Sequence, residues 1–410
     1  MLWRTLGPVQ TAAVRFEFDG CVLDLQRYEL QRDGVAVPIE PQVFDVLVHL
    51  ARHRDRVVTK EELLDEVWGN RFVSQSALTS RIKAVRRAVG DDGTAQRIIR
   101  TVHGRGYRFV GDVREVGTAP AAVDGNDPRR QQRIRFCTTS DGVRLAYATL
   151  GDGPPLVKAA NWLSHLDYDW ESPVWRHWWR DLSARHRLVR YDERGCGLSD
   201  WDIDDFSLET WVADLETVVD AADLDRFPLL GLSQGGPVAI TYAARHPERV
   251  TALVLYGTFA QGRLARARTA QAVDEARLHV QLMRLGWGRD EPAFRRVFAM
   301  QFMPHGTLEQ WDAFDELQRR TTSPANAVRF IEAFSVVDVT DVASTLSVPT
   351  LVLHARGDAR SPVELGRQLA ALIPDSRLVT LESHNHLLLG DEPAWPRFLD
   401  EVDSFLADVT

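Results

Sequence analysis

The spacing of apolar and polar positions changes character along this chain. Near its start, FEFDG, CVLDL and YELQRDG alternate in short runs, with turn signals at Gly20 and at Asp33-Gly34, and predict short strands. Pro41 then opens a segment in which Phe44, Leu47 and Leu50 fall on one side of a helix. A second helix is predicted from Thr59, where Glu62 three residues on completes a capping box, to a stop at Gly69. A third covers Gln75 to Val89 and stops at Gly90. IIRTVHGRGYRFV follows and reads as a closing hairpin that turns at its glycines.

From Arg133 onward the pattern is different. LVKAA, RLVRYD, FPLLGL, ALVLYG, PTLVLHA and RLVTLE are apolar runs separated by helical stretches, the signature of a parallel sheet with helices on both faces. Between Gly257 and about Ser347 the strands pause for a helical insertion. Residues 113–132, VREVGTAPAAVDGNDPRRQQ, have little apolar periodicity and predict a linker. The expected organisation is a first unit over 15–112, the linker, and a second unit over 133–410 with its insertion at about 257–347.

Charge sharpens that division. The net charge is −9, yet residues 71–110 hold nine Arg or Lys against two acids, a balance of +7 that leaves −16 on everything else. Such a separation suggests two units with different partners. Cys21, Cys137 and Cys196 are widely spaced and form no CxxC pair, which argues against a disulfide framework or a zinc site. Neither a metal nor a cofactor is expected. No run approaches the ~18 apolar residues of a membrane span, and MLWRTLGPVQ lacks the apolar core of a signal peptide, so a cytoplasmic protein is expected.

In SQSALTSRIKAVRRAVG, helical spacing sets Leu78, Ile82, Val85 and Val89 on one stripe. Ser76, Ser80, Lys83 and Arg87 point the other way, with Thr79, Arg81 and Arg86 on the flanks. A cationic, hydrogen-bonding face of this kind suits a major groove, where Arg and Lys meet guanine edges and phosphates. On charge alone a solvated surface helix is the commoner explanation. The order of strands, three helices and a hairpin ending in TVHGRGYRFVG, however, resembles the winged-helix effector domains of OmpR/PhoB-type bacterial regulators. That resemblance implies contacts to double-stranded DNA from Thr79, Arg81, Lys83, Arg86 and Arg87 on the third helix and from Arg105 on the wing. Arg100 and Arg108 are weaker candidates. It also implies a homodimer on repeated half-sites. No receiver domain accompanies the winged helix in this sequence, so the signal is expected to enter through the second unit.

GLSQG matches G-x-S-x-G between the strand FPLLGL and a helix running through Val238 to Arg245, the setting of a nucleophile elbow at Ser233. A serine hydroxyl needs a base to take its proton and a carboxylate to orient that base. Asp358 follows PTLVLHA, and His386 follows RLVTLE, so both lie beyond the ends of strands on the edge that carries Ser233. His384 competes for the role of base; His386 is favoured because apolar residues follow it directly. These residues, with Asp192, Arg194, Gly195, Gly197 and Ser199 of YDERGCGLSD, resemble the α/β-hydrolase superfamily over residues 133–410. The fold class implied is a winged helix-turn-helix (α+β) followed by an α/β-hydrolase fold with a helical lid.

The sequence departs from the family where His-Gly commonly supplies an oxyanion donor; here it reads LVKAANWLSH. The backbone N–H groups of Trp162 and Gln234 are the expected pair, with Asn161 either assisting or forming the turn. Residues 161–180 hold five tryptophans, most of them expected in the core. Asn161, Trp162 and Trp170 are expected to line a ligand pocket beneath the lid.

Two functions fit these residues best. One is a one-component transcription regulator whose hydrolase-like unit senses a small apolar or aromatic ligand, with residual serine-hydrolase activity. The other is a serine esterase or lactonase with an accessory DNA-binding unit. A binding module with both activities lost is a third.

Overall fold

A computed structural model describes residues 14–24, 29–37, 39–68, 75–102, 104–117, 128–287, 289 and 292–409. The chain forms two compact units, 1–125 and 126–410.

The first unit opens with β1 (Val14–Phe18), β2 (Cys21–Asp24), β3 (Glu29–Arg32) and β4 (Val35–Val37), an antiparallel run in which alternate residues Phe16, Phe18, Cys21, Leu23 and Leu30 are buried. Then come α1 (Pro41–Arg52), β5 (Val58–Thr59), α2 (Lys60–Trp68) and α3 (Gln75–Ala88). Pro41 starts α1 as expected, and Phe44, Leu47 and Leu50 are buried. The Thr59 hydroxyl accepts the Glu62 N–H at 3.1 Å, capping α2, while the stop foreseen at Gly69 lies outside the described residues. Strands β6 (Ile99–Val102) and β7 (Gly106–Phe109) make the predicted hairpin. A third strand, β5, joins β7 so closely that a Cβ on Gly106 would lie 2.0 Å from the Val58 carbonyl oxygen.

Strand β8 (Arg114–Gly117) corrects the expected linker at its start: it pairs with β1, Arg15 facing Val116. The alternation that makes this strand is too short to stand out, and pairing with an edge selects it. At the other end, α4 (Pro128–Gln131) begins the second unit, and Gln132 donates to the Leu166 carbonyl at 3.0 Å.

The second unit carries an eight-stranded sheet in the order β16-β15-β14-β13-β11-β12-β10-β9. Its parts in sequence are β9 (Arg133–Thr138), β10 (Arg144–Leu150), β11 (Pro155–Lys158), α5 (Arg176–Ser183), β12 (Arg187–Tyr191), α6 (Leu208–Ala221), β13 (Phe227–Leu232), α7 (Gly235–Arg245) and β14 (Val250–Tyr256). Four helices of the insertion follow: α8 (Ala270–Gly286), α9 (Pro292–Phe302), α10 (Leu308–Thr321) and α11 (Pro324–Val336). The chain closes with α12 (Thr340–Ser344), β15 (Thr350–Ala355), α13 (Val363–Leu372), β16 (Ser376–Leu381) and α14 (Ala394–Val409).

The six strands foreseen are β11 to β16, joined in parallel. The sheet as a whole is mixed, because β9 and β10 pair antiparallel at one edge, a hairpin the pattern did not announce. β9 is largely exposed, so it lacks the continuous apolar run that marks a buried strand. Among the described residues no helix is long and apolar enough to cross a membrane.

Candidate active site and nucleic-acid interface

Strand β13 ends at Leu232 and α7 begins at Gly235, so the chain reverses over two residues. Ser233 adopts φ 51°, a left-handed conformation that costs a side-chain-bearing residue on the order of 1–3 kcal/mol. Its surroundings hold it there. The Ser233 N–H donates to the Tyr256 carbonyl at 2.9 Å, and the Thr258 hydroxyl donates to the Ser233 carbonyl at 2.5 Å. Beside it, a Cβ on Gly235 would come within 2.5 Å of the Ala160 carbonyl oxygen, which explains why glycine is needed.

The structure brings Ser233, His386 and Asp358 together. His386 Nε2 lies 2.8 Å from Ser233 Oγ, and His386 Nδ1 lies 2.6 Å from Asp358 Oδ2. With Nδ1–H donated to the carboxylate, Nε2 is left to accept the serine proton. The other carboxylate oxygen, Asp358 Oδ1, accepts the N–H groups of Arg360 and Ser361, each at 2.8 Å. His386 is anchored by its own N–H to the Phe302 carbonyl at 2.8 Å, and its ring meets that of Phe302 edge-on at 5.3 Å. His384 is exposed and lies against His305 at 4.6 Å, apart from this set. A residue that the sequence did not flag sits behind it: His354, fully buried, donates Nε2–H to the Ser361 carbonyl at 2.7 Å, and burial holds its pKa below the usual imidazole range.

The expected oxyanion pair is arranged differently. The Trp162 N–H is already donated to the side chain of Gln234, at 2.8 Å from Oε1. Gln234 Nε2 in turn donates to Glu193 Oε1 at 2.7 Å. Glu193 is buried and its other oxygen, Oε2, has no hydrogen-bond partner among the described residues; burial raises its pKa to about 8. Burial thus favours the neutral carboxylic acid at the end of this chain of hydrogen bonds. Asn161 is buried, and its amide donates to the Trp162 carbonyl at 3.3 Å, the turn-forming alternative.

A cavity opens on Ser233 and His386. Trp162, Phe259, Val280, Phe302, Ile331 and Phe334 supply apolar wall, most of it from the insertion, and Arg263, Arg266, His279 and Arg360 supply polar wall. Trp162 stacks on Trp287 at 5.2 Å and so joins the sheet edge to the insertion. Asn161 lines a smaller recess that also touches Ser233 and His386. The expectation for Trp170 is corrected: its Nε1 donates to Gln132 at 3.0 Å and its ring packs 6.0 Å from Arg190, away from both spaces. That indole braces a buried ion pair, Arg190–Asp169 at 2.6 Å. The YDERGCGLSD loop is a brace too. Asp192 accepts the N–H groups of Leu166 and Leu198, and Arg194 bridges Asp214 at 2.6 Å and Asp141 at 2.8 Å.

In the first unit, Leu78, Ile82, Val85 and Val89 are buried as their stripe requires, while Thr79, Ser80, Lys83 and Arg87 of α3 are exposed, as is Arg105 of the wing. Arg81 is half-buried and paired with Glu40 at 2.7 Å. Arg86 is a correction. It is buried, with Nη2 donating to the Ile99 carbonyl at 2.8 Å and to the Thr101 hydroxyl at 2.9 Å, so it ties α3 to the wing instead of facing a groove. The helical wheel puts it on a flank, and only the position of β6 decides which way it turns. Arg100 and Arg108 are exposed. Among the described residues, His49, His53 and Glu62 lie close enough to share a cation, but Glu62 is gripped by both Arg56 nitrogens, at 2.8 and 2.6 Å.

Comparison with known proteins agrees with the fold of both units. The family profile described as alpha/beta hydrolase fold matches residues 168–393, more than half of the chain. The chain belongs to the α/β-hydrolase family. Its first unit carries a second match, residues 34–109, to the family described as transcriptional regulatory protein, C terminal, and is a winged helix of the OmpR/PhoB type. A non-heme chloroperoxidase of Kitasatospora aureofaciens is 27% identical over 283 residues, 65% of this chain and 98% of that protein. The transcriptional regulator HilA of Salmonella typhi is 38% identical over 103 residues, 25% of this chain and 18% of that protein. Among solved structures, an esterase from a Rhodococcus species superposes with a TM-score of 0.56 at 27% identity, covering 68% of this chain and 99% of that one.

In this α/β hydrolase the groups that the motifs did not announce are the Gln234 side chain, Glu193 and the cavity arginines. Arg360 stands two residues from Asp358, and Arg263 and Arg266 follow each other in GRLARAR, so an excess of arginine in the loops around the site was the available signal.

Proposed function

We propose that this chain is a one-component, DNA-binding transcription regulator whose hydrolase unit binds a small ligand with an apolar or aromatic body. We infer further that it retains serine-hydrolase chemistry toward an ester or lactone. One observation supports the reading above others: Ser233 and His386, hydrogen-bonded to each other and through His386 to the buried Asp358, open onto a cavity walled largely by the insertion, in the same chain as a winged helix with an exposed cationic face. In the chemical step Ser233 Oγ attacks the ligand's carbonyl carbon while His386 Nε2 takes its proton, and Asp358 stabilises the imidazolium. His386 then protonates the departing alkoxide, and water, deprotonated by the same imidazole, releases the acid. The working form is a homodimer on repeated half-sites, as winged helices of this kind are arranged. Ligand occupancy shifts DNA affinity by no more than the ligand's preference between the bound and free forms of the protein.

A gel-shift and footprint on the DNA upstream of its own gene is the test. Specific, salt-sensitive binding is expected, and its absence at every promoter tried would remove the regulator reading. The second reading, an esterase or lactonase with an accessory DNA-binding unit, draws on the hydrogen-bond lengths within the triad. Ser233→Ala separates the two: a regulator keeps DNA binding and ligand response without turnover, whereas an enzyme merely tethered to DNA shows no ligand response.

A further inference from the structure

Arg263, Arg266 and Arg360 line the same cavity as Ser233 and His386. Each is already tied down by protein. Arg263 Nη2 donates to the Arg360 carbonyl at 3.1 Å, Arg266 Nη1 to the Gln261 carbonyl at 2.9 Å, and Arg360 Nη1 to Gln301 Oε1 at 3.4 Å. The Arg360 guanidinium also lies 5.1 Å from the centre of the Phe302 ring, the ring that meets His386. Among the described residues none of the three forms an ion pair with a carboxylate. Glu275 acts on Arg263 only at a distance, and the Asp358 oxygens beside Arg360 are taken by His386 and two backbone N–H groups.

Three guanidiniums around one partly apolar space repel one another, and a guanidinium does not relieve the strain by losing its proton near neutral pH. Burial, followed by the neighbouring arginines, pushes Arg360 down to about 9 and Arg266 down to about 10. Arginine is also the side chain that matches a planar carboxylate with two parallel hydrogen bonds. We infer that the cavity is built for an anionic ligand: an ester or lactone whose short apolar or aromatic body bears a carboxylate, which Arg263, Arg266 and Arg360 hold while the scissile carbonyl meets Ser233. This rests on the reading of Ser233 as the nucleophile of that cavity, and it adds the charge of the ligand.

The test compares two 4-nitrophenyl esters of one shape, the valerate and the hemiglutarate, in which a carboxylate replaces the terminal methyl. Wild-type protein is expected to favour the hemiglutarate by at least 10-fold in kcat/KM, mainly through KM. The double substitution Arg263→Gln with Arg266→Gln is expected to remove that preference, bringing the ratio of kcat/KM for hemiglutarate and valerate to within about twofold of one, and to raise Tm, since it removes crowded like charges. Equal use of both esters by wild type, or a preference that survives the double substitution, overturns the inference. Calorimetric titration keeps the test independent of turnover. Monomethyl glutarate is expected to bind Ser233→Ala protein at least 10-fold more tightly than methyl valerate does. If neither nitrophenyl ester is cleaved, the nucleophile reading fails, and this titration still decides the charge of the ligand. Inorganic phosphate binding more tightly than monomethyl glutarate would overturn the carboxylate assignment.

Discussion

The backbone N–H of Trp162 points at Gln234 Oε1 from 2.8 Å, so the donor expected to meet an oxyanion is held by the side chain of the residue after Ser233. While that bond lasts, Trp162 cannot meet an oxyanion, and one such donor is worth roughly 100-fold or more in rate. Gln234→Met keeps the length of the side chain and the backbone N–H at 234 but removes the acceptor. With 4-nitrophenyl acetate, kcat is expected to rise about 10-fold or more with KM little changed. An unchanged or lower kcat in protein whose Tm stays within a few degrees would mean that Trp162 is not an oxyanion donor.

Within the triad the three side chains depend on one another. Ser233→Ala is expected to abolish turnover of 4-nitrophenyl esters. Asp358→Asn leaves the loop in place but invites the wrong imidazole tautomer, at a cost on the order of 10³–10⁴-fold in kcat. His384→Ala, at an exposed ring lying against His305, is expected to leave the rate within about twofold. Equal rates for wild type and Ser233→Ala would remove Ser233 from the chemistry.

How far these sites could be read from sequence depends on how local their causes are. Ser233 was legible because its strained turn demands glycine at Gly235 and an apolar strand before it, all within a few residues. Asp358 and His386 were legible because the end of β15 is fixed by a continuously buried run and that of β16 by the apolar positions Leu378, Val379 and Leu381. Arg86 was misread, since its direction depends on a carbonyl of Ile99 in another strand. Trp170 was misread because aromatic residues serve core and pocket alike, and its partner Gln132 lies in a stretch that looked like a linker. β8 was missed for the same reason: four residues become a strand only when an edge is there to pair with.

The correction at Arg86 separates two kinds of arginine on one helix. Lys83→Ala and Arg87→Ala, both at exposed positions, are each expected to weaken DNA binding across sequences and to reduce the slope of log K against log salt by about 1. Arg86→Ala is expected to act on the fold instead, because it leaves the Ile99 carbonyl and the Thr101 hydroxyl without their charged donor, a bond class worth about 1.5–3 kcal/mol each. Its signature is a lower melting temperature for the first unit. A salt slope reduced by Arg86→Ala at unchanged stability would return this residue to the interface.

Two buried acids make the second unit's stability depend on pH. Burial raises Glu193 to about 8 and Asp169 to about 6, above the roughly 4.3 and 3.9 of an unfolded chain. Each keeps its proton in the folded state after the unfolded chain has released it, so stability falls as pH rises. Both contribute from about pH 4 to 6, and Glu193 continues alone to about 8. Lys158, pushed down to about 8 by burial, acts above that pH and in the opposite direction, since the unfolded chain then binds the proton that the folded one has lost. Below about pH 6.5 the buried histidines His177 and His354, whose pKa values burial lowers, oppose this fall, so wild type is expected to lose on the order of 2 kcal/mol between pH 6.5 and 8, at about 1.4 kcal/mol per pKa unit. Glu193→Gln, which keeps an oxygen to accept from Gln234, is expected to abolish that loss. Urea unfolding at about pH 6.5, 7 and 8 checks it, followed by tryptophan fluorescence, which reports this unit because ten of the twelve tryptophans lie in it. Parallel curves for the two proteins across that range would mean that Glu193 is ionised in the folded state, and the neutral acid assigned to the end of the Trp162–Gln234 chain would have to be withdrawn.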